Sequence, residues 1–174
     1  MVTSLVIGRF QPFHKGHVHV IKYVYKRSDR IIIGIGSALE SHTARNPFTA
    51  GERLEMILLG LEEQGLNLGK FLIIPIPDAP FHRQWTSIVE TLTPPFDVVY
   101  SNEPLTRTLF LEAGYRVESI PFINRRVYSG EEFRRRVLEG GDWKEIVTPK
   151  IANFLLKHGL IMRIKNLSLS DKVR

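Results

Sequence analysis

Cysteine is absent from the 174 residues, so the chain can form neither a disulfide framework nor a thiolate metal site. No apolar run comes near the roughly 20 residues that a membrane-spanning helix needs. The opening segment MVTSLVIGRF also lacks the basic start and apolar core of a secretory signal. These absences lead us to expect a cytoplasmic protein that does not enter a membrane.

Two common nucleotide-binding motifs are missing as well. No Gly-x-Gly-x-x-Gly follows a predicted strand, and the lone Gly34-Ile35-Gly36 is more typical of a tight turn than of a dinucleotide site. No Gly-x-x-x-x-Gly-Lys-Ser/Thr motif is present, which excludes a P-loop NTPase. Any nucleotide chemistry must therefore use a different phosphate site.

Positive charge is in modest excess, with 24 Lys+Arg against 18 Asp+Glu and a net charge of +6. This excess would suit nucleic acid, a membrane surface or small polyphosphates. The basic residues are scattered, apart from Arg125-Arg126 and Arg134-Arg135-Arg136, and no basic tail accompanies them. We therefore expect no nucleic-acid or membrane partner.

Short apolar runs alternate with amphipathic segments as far as about residue 125. Such runs are typical of buried parallel strands, and the amphipathic segments of the helices that connect them. The predicted strands are Leu5–Ile7, Arg30–Ile35, Phe71–Ile76, Asp97–Tyr100 and Tyr115–Ile120. The pattern predicts an α/β fold with a single Rossmann-like open parallel sheet flanked by helices on both faces.

Helix signals complete this prediction. Thr49-Ala50-Gly51-Glu52 and Ser129-Gly130-Glu131-Glu132 each match a capping box, in which a hydroxyl and a carboxylate satisfy backbone N–H groups. With 43% hydrophobic residues and no linker, residues 1–174 are expected to form one domain. Its core would span about 5–125, a short C-terminal helical segment about 129–158, and a loose tail would begin at about 163.

The strongest chemical signal follows the first predicted strand, where His14 and His17 flank Gly16. Ligands of open α/β sheets bind beyond the carboxyl ends of strands, and the turn into the first helix offers unpaired N–H groups to an anion. Glycine allows close backbone approach, and imidazoles can donate to phosphoryl oxygens. Histidines three residues apart could also be half of a metal site or surface residues, but this position favours phosphate handling.

A second signal lies at the predicted helix that begins after Ser129. A capped helix start with an arginine in its first two turns is a good polyphosphate anchor, and Arg134 is the candidate. The alternative is an ordinary basic surface helix. Arg135 and Arg136 point to other faces, so we expect them to be solvated or paired.

Together these segments resemble the nucleotidylyltransferase superfamily, with an HxGH motif at His14–His17 and an ISxTxxR-like motif at Tyr128–Arg134. Further segments over residues 5 to 150 are similar to archaeal nicotinamide-nucleotide adenylyltransferases: Gly8–Phe13, Gly36–Ala38, Ser41–Thr43, Asn46–Arg53, Thr93–Asp97 and Gly141–Trp143. Two positions depart from the family pattern, since Glu131 replaces a usual Thr or Ser and His82 replaces an Asn.

The resemblance implies a reaction in which nicotinamide mononucleotide attacks the α-phosphorus of ATP, giving NAD and pyrophosphate without a protein nucleophile. It implies catalytic roles for four residues: His14, His17, Arg9 and Arg134. The candidate substrate-binding residues are Gly8, Phe10, Gln11, Gly16, Gly36, Ser37, Arg45, Asp78, Trp85 and Ser129. It also implies Mg²⁺ held mainly through substrate phosphates, no metal site built by the protein, and a homo-oligomer, by family analogy a hexamer.

Two of these assignments have plainer alternatives. Trp85 would line the nicotinamide pocket, although its spacing from Ile88 and Leu92 is also that of an apolar helix face. Asp78 would lie at a substrate edge, although a loop Asp beside prolines is more often a turn residue.

Other functions also remain open. A pantetheine-phosphate or FMN adenylyltransferase would share HxGH but need not share the Trp85 region or the Asn46–Arg53 block. A non-enzymatic nucleotide-binding or RNA-binding module would explain the positive charge but leave the two histidines without a role.

Overall fold

A computed structural model describes residues 1–121, 123–124 and 126–170 of the chain. Within them lies a five-stranded sheet in the order β3-β2-β1-β4-β5, and every paired neighbour is parallel. The strands are β1 (Thr3–Gly8), β2 (Arg30–Ile35), β3 (Phe71–Pro75), β4 (Val98–Tyr100) and β5 (Arg116–Glu118). All five predicted strands are present, with β1 longer than predicted and β3, β4 and β5 shorter. Arg125, the first residue of the basic pair Arg125-Arg126, lies outside the described residues.

Seven α-helices lie in the described part of the chain: α1 (Lys15–Tyr25), α2 (Ala50–Glu63), α3 (Trp85–Leu92), α4 (Pro104–Glu112), α5 (Gly130–Glu139), α6 (Pro149–Lys157) and α7 (Leu160–Ser170). The strand order reverses at β1, because the chain first moves to β2 and β3 and then returns to β4 and β5. With right-handed crossovers, this doubly wound order places helices on both faces of the sheet. The predicted Rossmann-like fold class is confirmed.

The order reversal also defines where ligands bind in such folds. Ligands of open α/β sheets occupy the crevice beyond the carboxyl ends of the strands at the reversal. Here β1 pairs on one side with β2 and on the other with β4, through Val6 opposite Ile33 and Tyr100. The loop that leaves β1 therefore begins at the expected ligand-binding point.

Contacts within the chain divide it into two compact units, the first comprising Met1–Arg9, Val20–Leu39 and Asn67–Pro121. This unit contains the sheet, α3 and α4. Its core is an apolar cluster formed by side chains of the strands, of α3 and α4, and of the segments directly beside β3 and β4: Leu5, Ile32, Ile76, Val89, Phe96, Val99 and Phe110. Burial of these side chains is the main stabilising contribution to this unit.

The second unit comprises Phe10–His19, Glu40–Leu66 and Phe122–Arg174. In it α2 packs on α6, and α7 packs on both α5 and α6. Its fully buried side chains include Phe13, Phe48, Phe133, Ile151 and Leu155. The expectation of one domain over residues 1–174 stays a prediction.

The two predicted capping boxes have different outcomes. At α2 the box is complete, because the Thr49 hydroxyl accepts from the Glu52 N–H at 3.2 Å and the Glu52 carboxylate accepts from the Thr49 N–H at 2.9 Å. At α5 the Ser129 hydroxyl accepts from the Glu132 N–H at 3.1 Å, but the Glu132 carboxylate binds Arg135 and Arg136. The second box is therefore wrong in its reciprocal half, since two nearby guanidinium groups compete for the carboxylate.

The expected loose tail from about residue 163 is instead helical as far as Ser170, in α7. Leu160 and Ile164 lie one turn apart on α7 and are 1% and 4% exposed, so the helix is held by its apolar face. Residues 171–174 of that tail lie outside the described residues. Among the described residues, no helix has the length and apolar character needed to cross a membrane.

Candidate active site

The loop after β1 turns sharply at Phe10, which has a φ of 51° and is 2% exposed. A non-glycine residue in this left-handed region costs about 1–3 kcal/mol and persists only where its surroundings hold it. The Phe10 ring is held by Phe13, with ring centroids 5.7 Å apart, and by the edge of His17, at 4.8 Å. The aromatic packing therefore stabilises the backbone turn that leads into the two histidines.

His14 and His17 lie face to face at the start of α1. Their ring centroids are 3.7 Å apart with an interplanar angle of 22°, and the Phe13 ring is stacked with that of His17 at 5.6 Å. The N–H groups of His17 and Val18 donate to the His14 carbonyl at 2.8 and 3.1 Å, which forms the first turn of α1. The helix start therefore holds both imidazoles in one stack.

Backbone contacts determine which nitrogen of each ring carries the proton. The His14 N–H donates to Nδ1 of His17 at 3.2 Å, and the His17 N–H donates to Nδ1 of His14 at 3.3 Å. A nitrogen that accepts a hydrogen bond carries no proton, so these contacts favour the tautomer of each neutral ring that bears its hydrogen on Nε2. Both side chains are then Nε2–H donors.

Burial keeps these rings neutral. Desolvation lowers the pKa of His14 from 6.5 to about 3, against a smaller opposing effect of its own backbone hydrogen bond. Desolvation also lowers the pKa of His17 well below 6.5, and repulsion from His14 adds to this. At neutral pH the pair can donate two hydrogen bonds without adding a positive charge.

Gly16 makes room for the stack. A Cβ atom at this position would lie 2.9 Å from Cε1 and Nδ1 of His14 and 3.2 Å from Cβ of Tyr128. Since real Cβ atoms do not approach other heavy atoms so closely, any side chain here would displace the His14 ring. The glycine of the motif is thus explained by space for the imidazole.

Gln11 anchors the loop to the segment before α2. Its Nε2 donates to the Phe48 carbonyl at 2.9 Å and its Oε1 accepts from the Phe48 N–H at 2.9 Å, in buried surroundings. The side-chain amide therefore forms the paired hydrogen bonds of a strand ladder. The structure places this candidate substrate-binding side chain against the protein backbone.

The start of α5 meets the same loop. Arg134 Nη1 donates to the Gln11 carbonyl at 2.9 Å, and a Cβ at Gly130 would lie only 2.7 Å from that carbonyl oxygen. Ser129 caps the helix, so the structure brings it and Arg134 together with the histidine loop. Gly130, which the sequence reasoning did not select, is required for this close approach.

The two other arginines of α5 are paired, as expected. Arg135 binds Glu132 and Glu139, and Arg136 binds Glu132 and Glu145. Glu132 lies one turn before the two arginines, Glu139 lies one turn after Arg135, and Glu145 lies in a short 3₁₀ helix at Trp143–Ile146. The charge of the two arginines is thus balanced locally by these carboxylates.

In the first unit the structure brings together four other candidate residues where β1, β2 and β3 end. The Gly36 N–H donates to the Gly8 carbonyl at 2.9 Å, and the Ser37 hydroxyl donates to the Asp78 carboxylate at 3.1 Å. Ser37 has a φ of 47°, a second strained turn after a strand. The Asp78 carboxylate is exposed and holds this turn.

Trp85 is the first residue of α3 and packs on the apolar core of its unit. Its ring meets that of Phe110 edge to face, with centroids 6.0 Å apart and an interplanar angle of 71°. Within the part of the chain that the structure describes, its buried Nε1–H has no hydrogen-bond partner. This packing is what we expect if Trp85 belongs to the apolar face of its helix, which was the alternative interpretation. A role of Trp85 in binding nicotinamide stays a prediction.

The remaining candidates and the two family departures are exposed: Arg9, Arg45, His82 and Glu131. No group of three or more His, Cys, Asp or Glu residues that could hold a metal ion is found among the described residues.

Phe13, which stacks with His17, is a site residue that the sequence did not lead us to select. The available signal was an aromatic residue directly before the first histidine of the motif.

Comparison with known proteins identifies the family of the chain. The family model described as cytidylyltransferase-like matches residues 5–65. The chain is 44% identical over 171 residues to the nicotinamide-nucleotide adenylyltransferase of Picrophilus torridus, covering 98% of this chain and 100% of that protein. It is 47% identical over 171 residues to the nicotinamide-nucleotide adenylyltransferase of Methanothrix thermoacetophila, covering 98% and 99%.

A solved structure gives the same result. The fold is similar, with a TM-score of 0.82 and 27% identity, to a bifunctional NMN adenylyltransferase/ADP ribose pyrophosphatase from Francisella tularensis complexed with AMP and an Mn ion. The match covers 99% of this chain and 53% of that protein, so the chain spans about half of its length. The near-complete sequence matches confirm the resemblance stated from the motifs, and the chain belongs to the family of nicotinamide-nucleotide adenylyltransferases.

Proposed function

We propose that this chain transfers the adenylyl group of ATP to nicotinamide mononucleotide, producing NAD and pyrophosphate. The names and near-complete coverage of its relatives support the reaction. The single structural observation that carries it is the stacked pair His14 and His17, whose Nδ1 atoms both accept backbone hydrogen bonds. Two neutral N–H donors at the start of a helix, on the buried His14 and the half-buried His17, suit a phosphoryl group on which negative charge grows.

The reaction needs no covalent intermediate with the protein. An oxygen of the 5′-phosphate of nicotinamide mononucleotide attacks the α-phosphorus of ATP, and a new P–O–P bond forms. The bond from the α-phosphorus to the oxygen bridging to the β-phosphorus breaks, and pyrophosphate leaves with that electron pair. The protein contributes positioning and stabilisation of charge.

His17 is proposed to donate its Nε2–H to the reacting α-phosphate, and His14 to an adjacent phosphate oxygen. Because both rings are held by stacking and backbone hydrogen bonds, they need no reorganisation as charge develops. Arg134 is proposed to bind the triphosphate from the start of α5, where the helix dipole adds to its charge. Arg9 and Arg45 are proposed as further phosphate contacts.

Trp85 is proposed to recognise the nicotinamide ring. This ring is flat and cationic, so an indole face can contribute about 0.5–2 kcal/mol through stacking or cation–π contact. Gly8, Gly36, Ser37, Asp78 and Ser129 are proposed to line the substrates. Phe10, Gln11 and Gly16, which the structure packs within the protein, are proposed to support the histidine loop.

Mg²⁺ is proposed as the divalent cation. The histidine loop offers neutral N–H donors, and Arg134 on α5 lies against its Gln11 carbonyl; such groups are suited to phosphate oxygens and not to holding Mg²⁺, which prefers oxygen ligands. The ion would therefore be held mainly through substrate phosphates and water, as Mg²⁺ often is. When bound, it would neutralise phosphate charge and polarise the phosphoryl oxygens. The cytoplasmic location and the homo-oligomer also stay proposals.

A coupled assay of NAD formation and pyrophosphate release tests this function. Purified chain would receive ATP, Mg²⁺ and one acceptor: nicotinamide mononucleotide, nicotinate mononucleotide, pantetheine phosphate or FMN. We expect stoichiometric NAD and pyrophosphate from the first acceptor. Preference for pantetheine phosphate or FMN would support another adenylyltransferase of the superfamily, and no pyrophosphate from any acceptor would favour a non-enzymatic nucleotide-binding module.

A further inference from the structure

Helix α7 reaches the segment before α2 through one side chain, Arg163. Its Nη1 and Nη2 donate to the two carboxylate oxygens of Glu52 at 2.7 and 2.8 Å, and its Nη1 also donates to the Pro47 carbonyl at 3.2 Å. This is a bidentate pair with restricted exposure, 24% for Arg163 and 21% for Glu52. Paired parallel N–H···O bonds of this kind add directional specificity to charge attraction.

Glu52 is at the same time the capping residue of α2. One of its oxygens, Oε2, accepts both from Arg163 and from the Thr49 N–H, the latter at 2.9 Å. Burial works to raise the pKa of its carboxyl, yet the hydrogen bonds from Arg163 and Thr49 outweigh it and hold the pKa below its usual range. The carboxylate is thus held in place from two directions.

Pro47, Phe48 and Thr49 therefore lie between two anchors. On one side Arg163 binds the Pro47 carbonyl and, through Glu52, the Thr49 N–H. On the other side the side-chain amide of Gln11 binds both backbone groups of Phe48 at 2.9 Å. Gln11 belongs to the loop that carries the histidines, and its carbonyl accepts from Arg134.

We propose that Arg163 is a positioning residue for adenylyl transfer, which sets the histidine loop by fixing the Pro47–Thr49 segment to which Gln11 binds. The inference rests on the proposed function. It gives α7, most of which falls in the tail expected to be loose from about residue 163, a role in the reaction without contact with substrate. Loss of the anchor should shift His14 and His17 relative to the reacting phosphate, and a shift of 1 Å can cost about 10²-fold in rate.

The chain offers a matched control at the other end of α2. Lys150 on α6 binds Glu62 at 2.7 Å, so it also ties a C-terminal helix to α2, but the pair is exposed, at 46% and 58%. Arg163→Met and Lys150→Met would be compared for kcat, for both KM values and for thermal midpoint, at a temperature where both are folded. We expect kcat to fall about tenfold or more for Arg163→Met, with smaller KM changes, and less than about twofold for Lys150→Met.

Two further variants separate the geometry of the ion pair from its charge and from the folding of the chain. Arg163→Lys retains the charge but not the bidentate fork, so its kcat should lie between those of wild type and Arg163→Met. If Arg163→Met alone does not fold, the double variant Arg163→Met/Glu52→Gln replaces it, because it leaves no unpaired carboxylate. Its kcat should show the loss of about tenfold or more that is expected for Arg163→Met.

Hydrogen exchange separates this inference from the proposed function. If the wild-type protein makes no NAD, the proposed function fails. The Arg163 anchor is then tested by the hydrogen-exchange rate of the Phe48 amide, which donates to the Gln11 side chain. Its exchange should be about tenfold faster in Arg163→Met than in Lys150→Met, a loss of about 1.4 kcal/mol of local stability. Unchanged kcat and unchanged Phe48 exchange, with only a lower thermal midpoint, would overturn the positioning role.

Discussion

The histidine loop, residues 10–17, and the Trp85 segment, residues 81–85, are held in very different ways. In the loop, aromatic stacking, reciprocal backbone hydrogen bonds and the Gln11 amide restrain both imidazoles. In the segment, Phe81, His82, Arg83 and Gln84 are exposed, and Trp85 has one edge-to-face contact and an unpaired buried N–H in the described part of the chain. The difference shows that the histidine loop is held by many specific contacts within the protein, whereas the Trp85 segment is held mainly by the packing of Trp85 on the apolar core. If the proposed roles are right, the phosphate site is organised before substrate binds.

The comparison predicts its largest effect at His17. His17→Ala removes the proposed donor to the α-phosphate, and loss of one such donor typically costs about 10²–10³-fold in kcat, or about 2.7–4 kcal/mol. Steady-state kinetics with both substrates would measure it. Near-normal kcat with a raised KM would instead make His17 a ground-state binding residue.

A smaller effect is expected when the loop is perturbed indirectly. Gly16→Ala places a Cβ against the His14 ring, so kcat should fall by about tenfold or more while the chain stays folded. Gly51→Ala is the control, because a Cβ there meets nothing within 4 Å and alanine favours a helix by about 0.5–1 kcal/mol. Equal kcat in the two variants would show that the stacked arrangement is not needed.

The second region of the comparison, the Trp85 segment, is tested by replacing Trp85. Trp85→Ala should raise KM for nicotinamide mononucleotide about 2–30-fold, the equivalent of 0.5–2 kcal/mol, and leave KM for ATP nearly unchanged. Ile88→Ala, on the same helix and packed on the same core, should lower the thermal midpoint without changing either KM. Parallel behaviour of the two variants would make Trp85 a packing residue alone.

Local patterns were enough to predict the fold class. Alternating apolar runs located all five strands, and Thr49 with Glu52 announced the start of α2 correctly. The position of the HxGH motif after the first strand also led to the histidine loop, because strand ends and helix starts have known chemistry.

Long-range contacts could not be predicted from such patterns. Gln11 binding to Phe48, Arg134 binding to Gln11, and Arg163 binding to Glu52 join residues far apart in sequence, and no periodicity encodes them. The reciprocal half of the second capping box failed for a related reason, since Arg135 and Arg136 compete for Glu132. The helical start of the expected tail was missed because α7 follows Gly159 directly and is held by burial of Leu160 and Ile164.

The neutral state of the histidines also makes folding stability depend on pH. Burial holds the pKa of folded His14 at about 3, below its usual value of 6.5, so the unfolded chain takes up the proton first as pH falls. The contribution of this histidine is therefore fully present above about pH 6.5 and is lost progressively toward lower pH.

An NMR titration of the His14 and His17 imidazole nitrogens, with each histidine replaced by glutamine in turn for assignment, tests the central claim directly. The account predicts that both rings stay neutral, with the hydrogen on Nε2, as pH falls from about 8 to about 5. Titration of either ring near its ordinary value of 6.5, or a hydrogen on Nδ1, would contradict the account of two neutral Nε2–H donors.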